Sequence, residues 1–519
     1  MPQPTQGSIA AGHPKTAEAG LEIFRLGGNA FDAAVAAVCA SFVTEPMLTS
    51  PAGGGFLLAH TQDNQDILFD FFTQTPRQKR PVSEVDFYPV TVDFGGVTQD
   101  FHIGLGSIAT PGTIAGLYQV QQKLGRLPFS AVLEPAIHYA KTGVEITEFQ
   151  AYSSKILSPI LLASAEAKRV FAPQGVPQQG DRLTFPELAV TLGEFAKTGI
   201  DSFYRGELAE QIVKDAETRG GYLTLADLEQ YRVIERQPFK THYRDNTFLT
   251  NPPPSSGGTL IAFALRLLEQ INLSAISFGS IEHQRILADV MRLTNLARKD
   301  GYADRLYEPD IADRFLADEH LAQYIQQLTS EVNKWGSTTH VSAIDSEGNA
   351  ASITSSNGEG SSYVIPGTGI MMNNMLGEAD LHPGGFHQWQ ENVRISSMMA
   401  PTMILHNGKP EIVLGSGGSN RIRTAILQVI SNLLDFQMPV ESAVSNPRMH
   451  WESGTFNLEP GFAEAGTDRT FPFDGIVERW QAQNMFFGGV HAVTRSLNGE
   501  LAGAGDRRRG GAVEIYGRD

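Results

Sequence analysis

The sequence predicts an α+β fold built as a layered sandwich, in which helices cover a block of antiparallel strands. Three observations carry this. Before residue 337, apolar residues recur at helical spacing between turn signals. Beyond it, short runs rich in β-branched and apolar residues alternate with turns. No low-complexity linker divides the two regions, so one large fold is more economical than separate modules, and helices beside antiparallel strands pack as layers.

The elements follow in order. Lys15 to Leu26 carries Ala17, Leu21 and Phe24 on one helical face, and Gly27-Gly28 stops it. Asn29 or Asp32 can start the next helix, whose alanines imply close packing. Ala52 to Phe56 is glycine-rich and leads into a strand-like FLLAH; its glycines permit positive φ or a close backbone approach. Pro111-Gly112-Thr113 opens a helix, Leu223 to Asp227 reads as a capped helix start, and PPPSSGGT (Pro252 to Thr259) precedes an apolar helix. Thr338 to Ile344 and Ala350 to Ser356 form a hairpin around the turn Asp345 to Asn349. Further strands are expected at Gly369 to Met372, Thr402 to Leu405, Glu411 to Leu414 and His491 to Thr494.

Composition narrows the function. A formal net charge of −17 repels phosphate backbones, which argues against nucleic acid as a partner. The most apolar run, Ala33 to Val43, is too short to span a membrane and reads as a buried helix. Cys39 is the single cysteine, so an internal disulfide or a cysteine-based metal site is excluded, and it reads as a buried thiol. The opening MPQPTQGSIAAGHPKT lacks a basic segment followed by an apolar core, so a cytoplasmic location is expected.

Taken singly, the motifs are weak. Thr338-Thr339 at a strand start is ordinarily β-propensity. His382 and His387 in HPGGFH, near Glu391, lack helical zinc-site spacing and read as loop histidines; neither a metal nor any cofactor is expected. GSGGSNR (Gly415 to Arg421) resembles a phosphate cradle without its lysine. DRRRGG (Asp506 to Gly511) is either an anion site or an internal ion pair with Asp506.

Their order is more telling. GGNAFDAAVA, GGGF, PGTIAG, FYRGELAEQI, GGYLTLADLEQY, PPPSSGG, TTHVSAID, SSM, GSGGSNRI, HAV and RRRGGA succeed one another in a pattern that resembles the gamma-glutamyltranspeptidase family, from about Gly12 to Tyr516. The resemblance implies the N-terminal-nucleophile hydrolase fold, a four-layer αββα sandwich. It also implies a precursor that cuts itself between Ser337 and Thr338. The products would be a large chain 1–337 and a small chain 338–519 that stay associated as one composite domain. Thr338 would then be the nucleophile, with its own new α-amine as base.

By the same resemblance, backbone N–H groups near Gly418 and Ser419 would hold the oxyanion, although the family normally has glycine at the second position. Ser356 would be the hydroxyl that contacts the nucleophile, with Thr354 a nearby competitor. Ser396 and Ser397 match the serine pair that holds the donor carboxylate. Glu378 or Asp380 would bind the donor amine, and Asn357 is the nearest match to an expected asparagine. In substrate recognition two positions depart from the pattern: Phe72 stands where the family has a carboxylate-reading arginine, and Met375 where it has a polar residue. Arg77, Lys79, Arg80 or Arg394 could supply a replacement charge.

The expected substrate is therefore a gamma-glutamyl or related amide such as glutathione, with water, an amino acid or a peptide as acceptor. An acylase of the same fold acting on a non-glutamyl amide is the second reading. An inactive binding or structural relative is the third.

Overall fold

The computed structural model describes residues 3–93, 98–324, 338–382, 384–452, 454–463 and 476–517. Two antiparallel sheets form its centre. The first runs Ala512–Tyr516, Gly7–Ala11, Thr339–Asp345, Ala350–Ser356, Gly54–His60, Asp66–Asp70, Ile234–Arg236. The second runs Leu501–Ala504, Gly489–Arg495, Lys409–Gly417, Thr402–His406, Asn246–Thr250, Phe239–Tyr243. Strands from both sides of residue 337 enter each sheet.

Period-two alternation of the strands divides the core into three parts. Phe56, Leu58 and Leu68 face Met403 and Val413 between the sheets. Leu57, Ala59 and Phe69 point the other way, against helices that include Pro14–Arg25 and Ala30–Thr44. Ile412 and Leu414 pack outward against helices Gly257–Leu268, Ile281–Ala297 and Arg421–Leu434. The order helix, sheet, sheet, helix is the four-layer αββα sandwich.

Local chemistry explains the elements that frame the site. Asn29 caps Ala30–Thr44, and Asp32 completes the reciprocal capping box, so both candidate starters act at one helix end. Every residue of this helix is buried, Cys39 included, and burial pushes that thiol up. The 52–56 glycines serve close approach: a Cβ on Gly53 would lie 2.3 Å from the Ser356 carbonyl oxygen, and one on Gly55 2.4 Å from that of Thr354. The Leu223–Asp227 start is capped by Thr224, but its helix ends at Glu229.

One expectation fails, and one pair of strands goes unannounced. Gly369 to Met372 is not a strand; it makes one isolated bridge, Val364 to Met371, because Gly367 and Gly369 at φ +74° and +68° fold the segment into a turn. Gly7–Ala11 and Ala512–Tyr516 are paired strands that no local pattern announces. Among the described residues, no helix is long and apolar enough to cross a membrane.

Candidate active site

The hairpin creates the site. Thr339 pairs with Ser355, so the next residues outward are Thr338 and Ser356. Both line a cavity of about 170 Å³. Phe72 and Met375 line its wall, with Glu378 and Asp380. Ser396, Ser397 and Ser419 complete the set of expected residues gathered there. Ser337 lies outside the described residues.

Thr338 is held tightly. A Cβ on Gly417 would lie 2.1 Å from its carbonyl oxygen, and Arg509 Nη1 donates to that oxygen at 3.4 Å. Ser356 accepts from the Gly358 N–H at 3.0 Å. Thr354 bonds His340 Nδ1 at 2.8 Å inside the sheet, so of the two candidate hydroxyls Ser356 is the one at the cavity. Gly418 and Ser419 turn the chain between strand Lys409–Gly417 and helix Arg421–Leu434, with φ +125° and +49°. Gly418 uses a conformation open to glycine; Ser419 accepts the left-handed region at a cost of about 1 kcal/mol. Its hydroxyl donates to Asp380 Oδ2 at 2.6 Å, which ties this turn to the acidic wall.

The serine pair rests on the PPPSSGG turn. Ser255 Oγ and Ser256 N–H donate to the Ser397 carbonyl at 2.9 and 2.8 Å. A Cβ on Gly257 would lie 2.1 Å from the Met398 carbonyl oxygen, so glycine is required for this approach. Glu378 faces Glu359; burial, then the Glu359 charge, push its carboxyl well above the usual range. Asn357 is not part of the cavity wall. Its Nδ2 donates to the Met371 and Met372 carbonyls, each at 3.4 Å, and braces the loop.

None of the four candidate replacement cations lines the cavity. Arg394 lies behind Phe72: its guanidinium pairs with Asp70 at 3.2 Å and donates to the Tyr231 hydroxyl at 2.8 Å and to the Phe72 carbonyl. Arg80 donates to the Ala216 and Gly221 carbonyls. Lys79 donates to the His387 carbonyl, and Arg77 is anchored through its N–H to Asp227. The arginine in the wall is Arg298. Arg509 and Glu45 were likewise not singled out from the sequence. Arg509 sits in the RRRGGA motif, whereas Glu45 only ends an apolar helix and carries no signal of its own.

The remaining motifs are structural. Asp506 pairs with Arg448 at 2.6 Å and Arg508 at 3.2 Å, so DRRRGG holds an internal ion pair. His382 Nε2 bonds the Met375 carbonyl and His387 Nδ1 the Tyr222 hydroxyl. Among the described residues, no three His, Cys, Asp or Glu side chains gather as a metal site.

Glu45 lies behind the start of the hairpin, beside Thr339, the residue next to Thr338. The Thr339 hydroxyl donates to its Oε1 at 2.8 Å, and Thr16 to its Oε2 at 3.2 Å. Burial raises its carboxyl to about 7, against the opposing pull of these hydrogen bonds and Arg509. The fold therefore favours the protonated form. That contribution is fully present below the unfolded value of 4.5 and is lost as pH rises through about 7. Glu45→Gln is expected to gain stability relative to the parent as pH rises, by up to roughly 3 kcal/mol. Thermal unfolding of both proteins near pH 5 and near pH 8 checks this; a pH-independent difference in midpoint would refute it.

A profile of the gamma-glutamyltranspeptidase family matches residues 16–516. The chain is 31% identical to the acylase ACY 1 proenzyme of Pseudomonas sp. (strain SE83), covering 99% of this chain and 94% of that protein. It is 31% identical to the glutathione hydrolase proenzyme of Escherichia coli (strain K12), covering 97% and 90%. The cephalosporin acylase from Bacillus halodurans superposes with a TM-score of 0.86 at 25% identity, covering 99% of this chain and 96% of that one. With the αββα sandwich and the cavity at Thr338, these matches establish that the chain is an enzyme of the gamma-glutamyltranspeptidase family, with the N-terminal-nucleophile hydrolase fold.

Proposed function

We propose that the chain cuts itself before Thr338 and then cleaves gamma-glutamyl or related amides, glutathione among them, passing the acyl group to water or to an amino acid or peptide. One observation carries this reading: Thr338 shares a cavity with Ser356, the Ser396–Ser397 pair and the turn that follows Gly417. A threonine hydroxyl needs a base, and the α-amine freed by cleavage titrates at roughly 7.7–8.0. It would take the proton as Oγ1 attacks the amide carbon and return it to the departing amine. An acyl ester on Thr338 would remain, to be released by the acceptor. N–H groups of the Gly418–Ser419 turn would stabilise the oxyanion of each tetrahedral intermediate. Ser356 would orient the nucleophile. Because residues from both sides of the cut build both sheets, the large and small chains would stay associated.

A specific observation favours the second reading, an acylase for non-glutamyl amides. Phe72 is buried and stacks on Phe56 at 5.3 Å, so an aromatic face stands where the family places an arginine. The acylase ACY 1 proenzyme and the glutathione hydrolase proenzyme are equally close by identity and do not separate the two. One panel decides between them. Gamma-glutamyl, glutaryl and uncharged acyl 4-nitroanilides are compared by kcat/KM on the mature protein. Strong preference for the gamma-glutamyl compound supports the first reading; preference for another acyl group supports the second. No turnover of any amide by a correctly cut protein would refute both.

A further inference from the structure

None of the four arginine or lysine positions expected to replace the missing charge lines the cavity, yet its wall contains a cation. Helix Ile281–Ala297 ends in a π turn, Arg298–Tyr302, where Gly301 takes φ +93° and kinks the chain. The first residue of that turn, Arg298, lines the same cavity as Thr338. Its Nη1 donates to Asn420 Oδ1 at 3.2 Å, and Asn420 Nδ2 donates to Glu452 Oε1 at 2.9 Å. The guanidinium is therefore anchored beside Ser419, the residue of the glycine turn that also lines the cavity.

Other charged groups lie near it. Arg298, Arg421 and Arg423 lie close enough to influence one another or the same carboxylates. Glu452 and Asp380 are carboxylates that act on them. His450 beside Glu452 is held neutral, with burial lowering its pKa to about 4. Burial lowers all three arginines, with Arg423 brought down to about 10. Arg298 is half-buried at the cavity wall, where an incoming anion would offset its charge. A guanidinium is suited to a carboxylate, which it can bind through two parallel N–H donors.

We propose that Arg298 reads a carboxylate on the acyl part of the donor, so that the enzyme selects half-amides of dicarboxylic acids. This rests on the reading of the cavity as the acyl-donor site. It assigns to the π turn the charge role that Phe72 cannot fill. The carboxylate would sit between Arg298 and the Ser396–Ser397 hydroxyls, while the apolar stem of the acyl chain lies against Phe72 and Met375. Gamma-glutamyl and glutaryl donors share this carboxylate and differ in the α-amine, which the acidic pair Glu378 and Asp380 would accept.

The test uses mature wild-type protein, Arg298→Met and Arg298→Lys. Glutaryl and valeryl 4-nitroanilides share a leaving group and differ in the acyl carboxylate. The ratio of kcat/KM for glutaryl over valeryl is expected to fall about 30-fold or more in Arg298→Met, mainly through KM, with partial recovery in Arg298→Lys. A wild-type ratio in Arg298→Met overturns the assignment. Dependence on a carboxylate in the leaving group, in place of one in the acyl group, overturns it as well. If neither variant yields a chain beginning at Thr338, the arginine is structural and the proposal falls. Wild-type protein that is cut but turns over no amide refutes the reading of the cavity itself, a result distinct from an unchanged ratio in the variant.

Discussion

A Thr338→Ala protein is expected to remain one uncut 519-residue chain and to lose turnover by on the order of 10⁴-fold or more. The wild type should give two chains, the second beginning at Thr338. The size of the effect follows from one hydroxyl serving both reactions. In the precursor it would attack the preceding peptide bond; in the mature enzyme it would attack the substrate amide. Alanine removes that oxygen and disturbs little else, because the side chain is small and the backbone is fixed by the strand that starts at Thr339 and by the packing of the Thr338 carbonyl on Gly417. Thr338→Ser keeps the oxygen and is expected to cut and turn over at a reduced rate. Intact mass and N-terminal analysis read the first reaction, and a 4-nitroanilide assay reads the second. Cutting at Thr338 in the alanine protein, or near-normal turnover, would remove Thr338 from both roles.

What the sequence revealed depended on the range of the interaction. The hairpin was readable because apolar alternation runs on both sides of the Asp345 to Asn349 turn, and the two strands pair in the register that the turn dictates. The capping at Asn29 was readable for the same local reason. Pairing of Gly7–Ala11 with Ala512–Tyr516 was not: about the whole chain separates them, and GSIAA is too small and uniform to show a period. Site residues divide likewise. Thr338, the serine pair and the glycine turn lie in ordered motifs, whereas Arg298 is one more cation at the end of a helix until the fold brings it to the cavity. Asn357 shows the opposite case. The resemblance made it the nearest match to an expected asparagine, but a residue neighbouring a site in sequence can point away from it, and this amide is used on the loop carbonyls.

Gly417→Ala should be the most damaging small substitution away from Thr338 itself. The added methyl would lie 2.1 Å from the Thr338 carbonyl oxygen and 2.9 Å from its carbon, with Arg509 Nη1 at 3.3 Å. Two of those atoms are backbone, so no side-chain rotation relieves the clash. Gly417 is also paired with Gly489 in the six-stranded sheet, which limits its retreat. Thr338 must then shift. A displacement near 1 Å at a reacting atom can cost about 100-fold, so kcat is expected to fall by at least that much and self-cutting to slow. Overpacking should cost stability only about 1–3 kcal/mol, leaving a folded protein in which the two effects can be separated. Gly193→Ala is the matching control: it lies inside helix Pro186–Thr198 with nothing within 4 Å of the added methyl, and should stabilise by up to about 1 kcal/mol. Equal activity in the Gly417 and Gly193 variants would show that contact with the Thr338 carbonyl does not govern where the nucleophile sits. A selective loss in the first would show that the end of strand Lys409–Gly417 sets the position of Thr338 by simple steric exclusion.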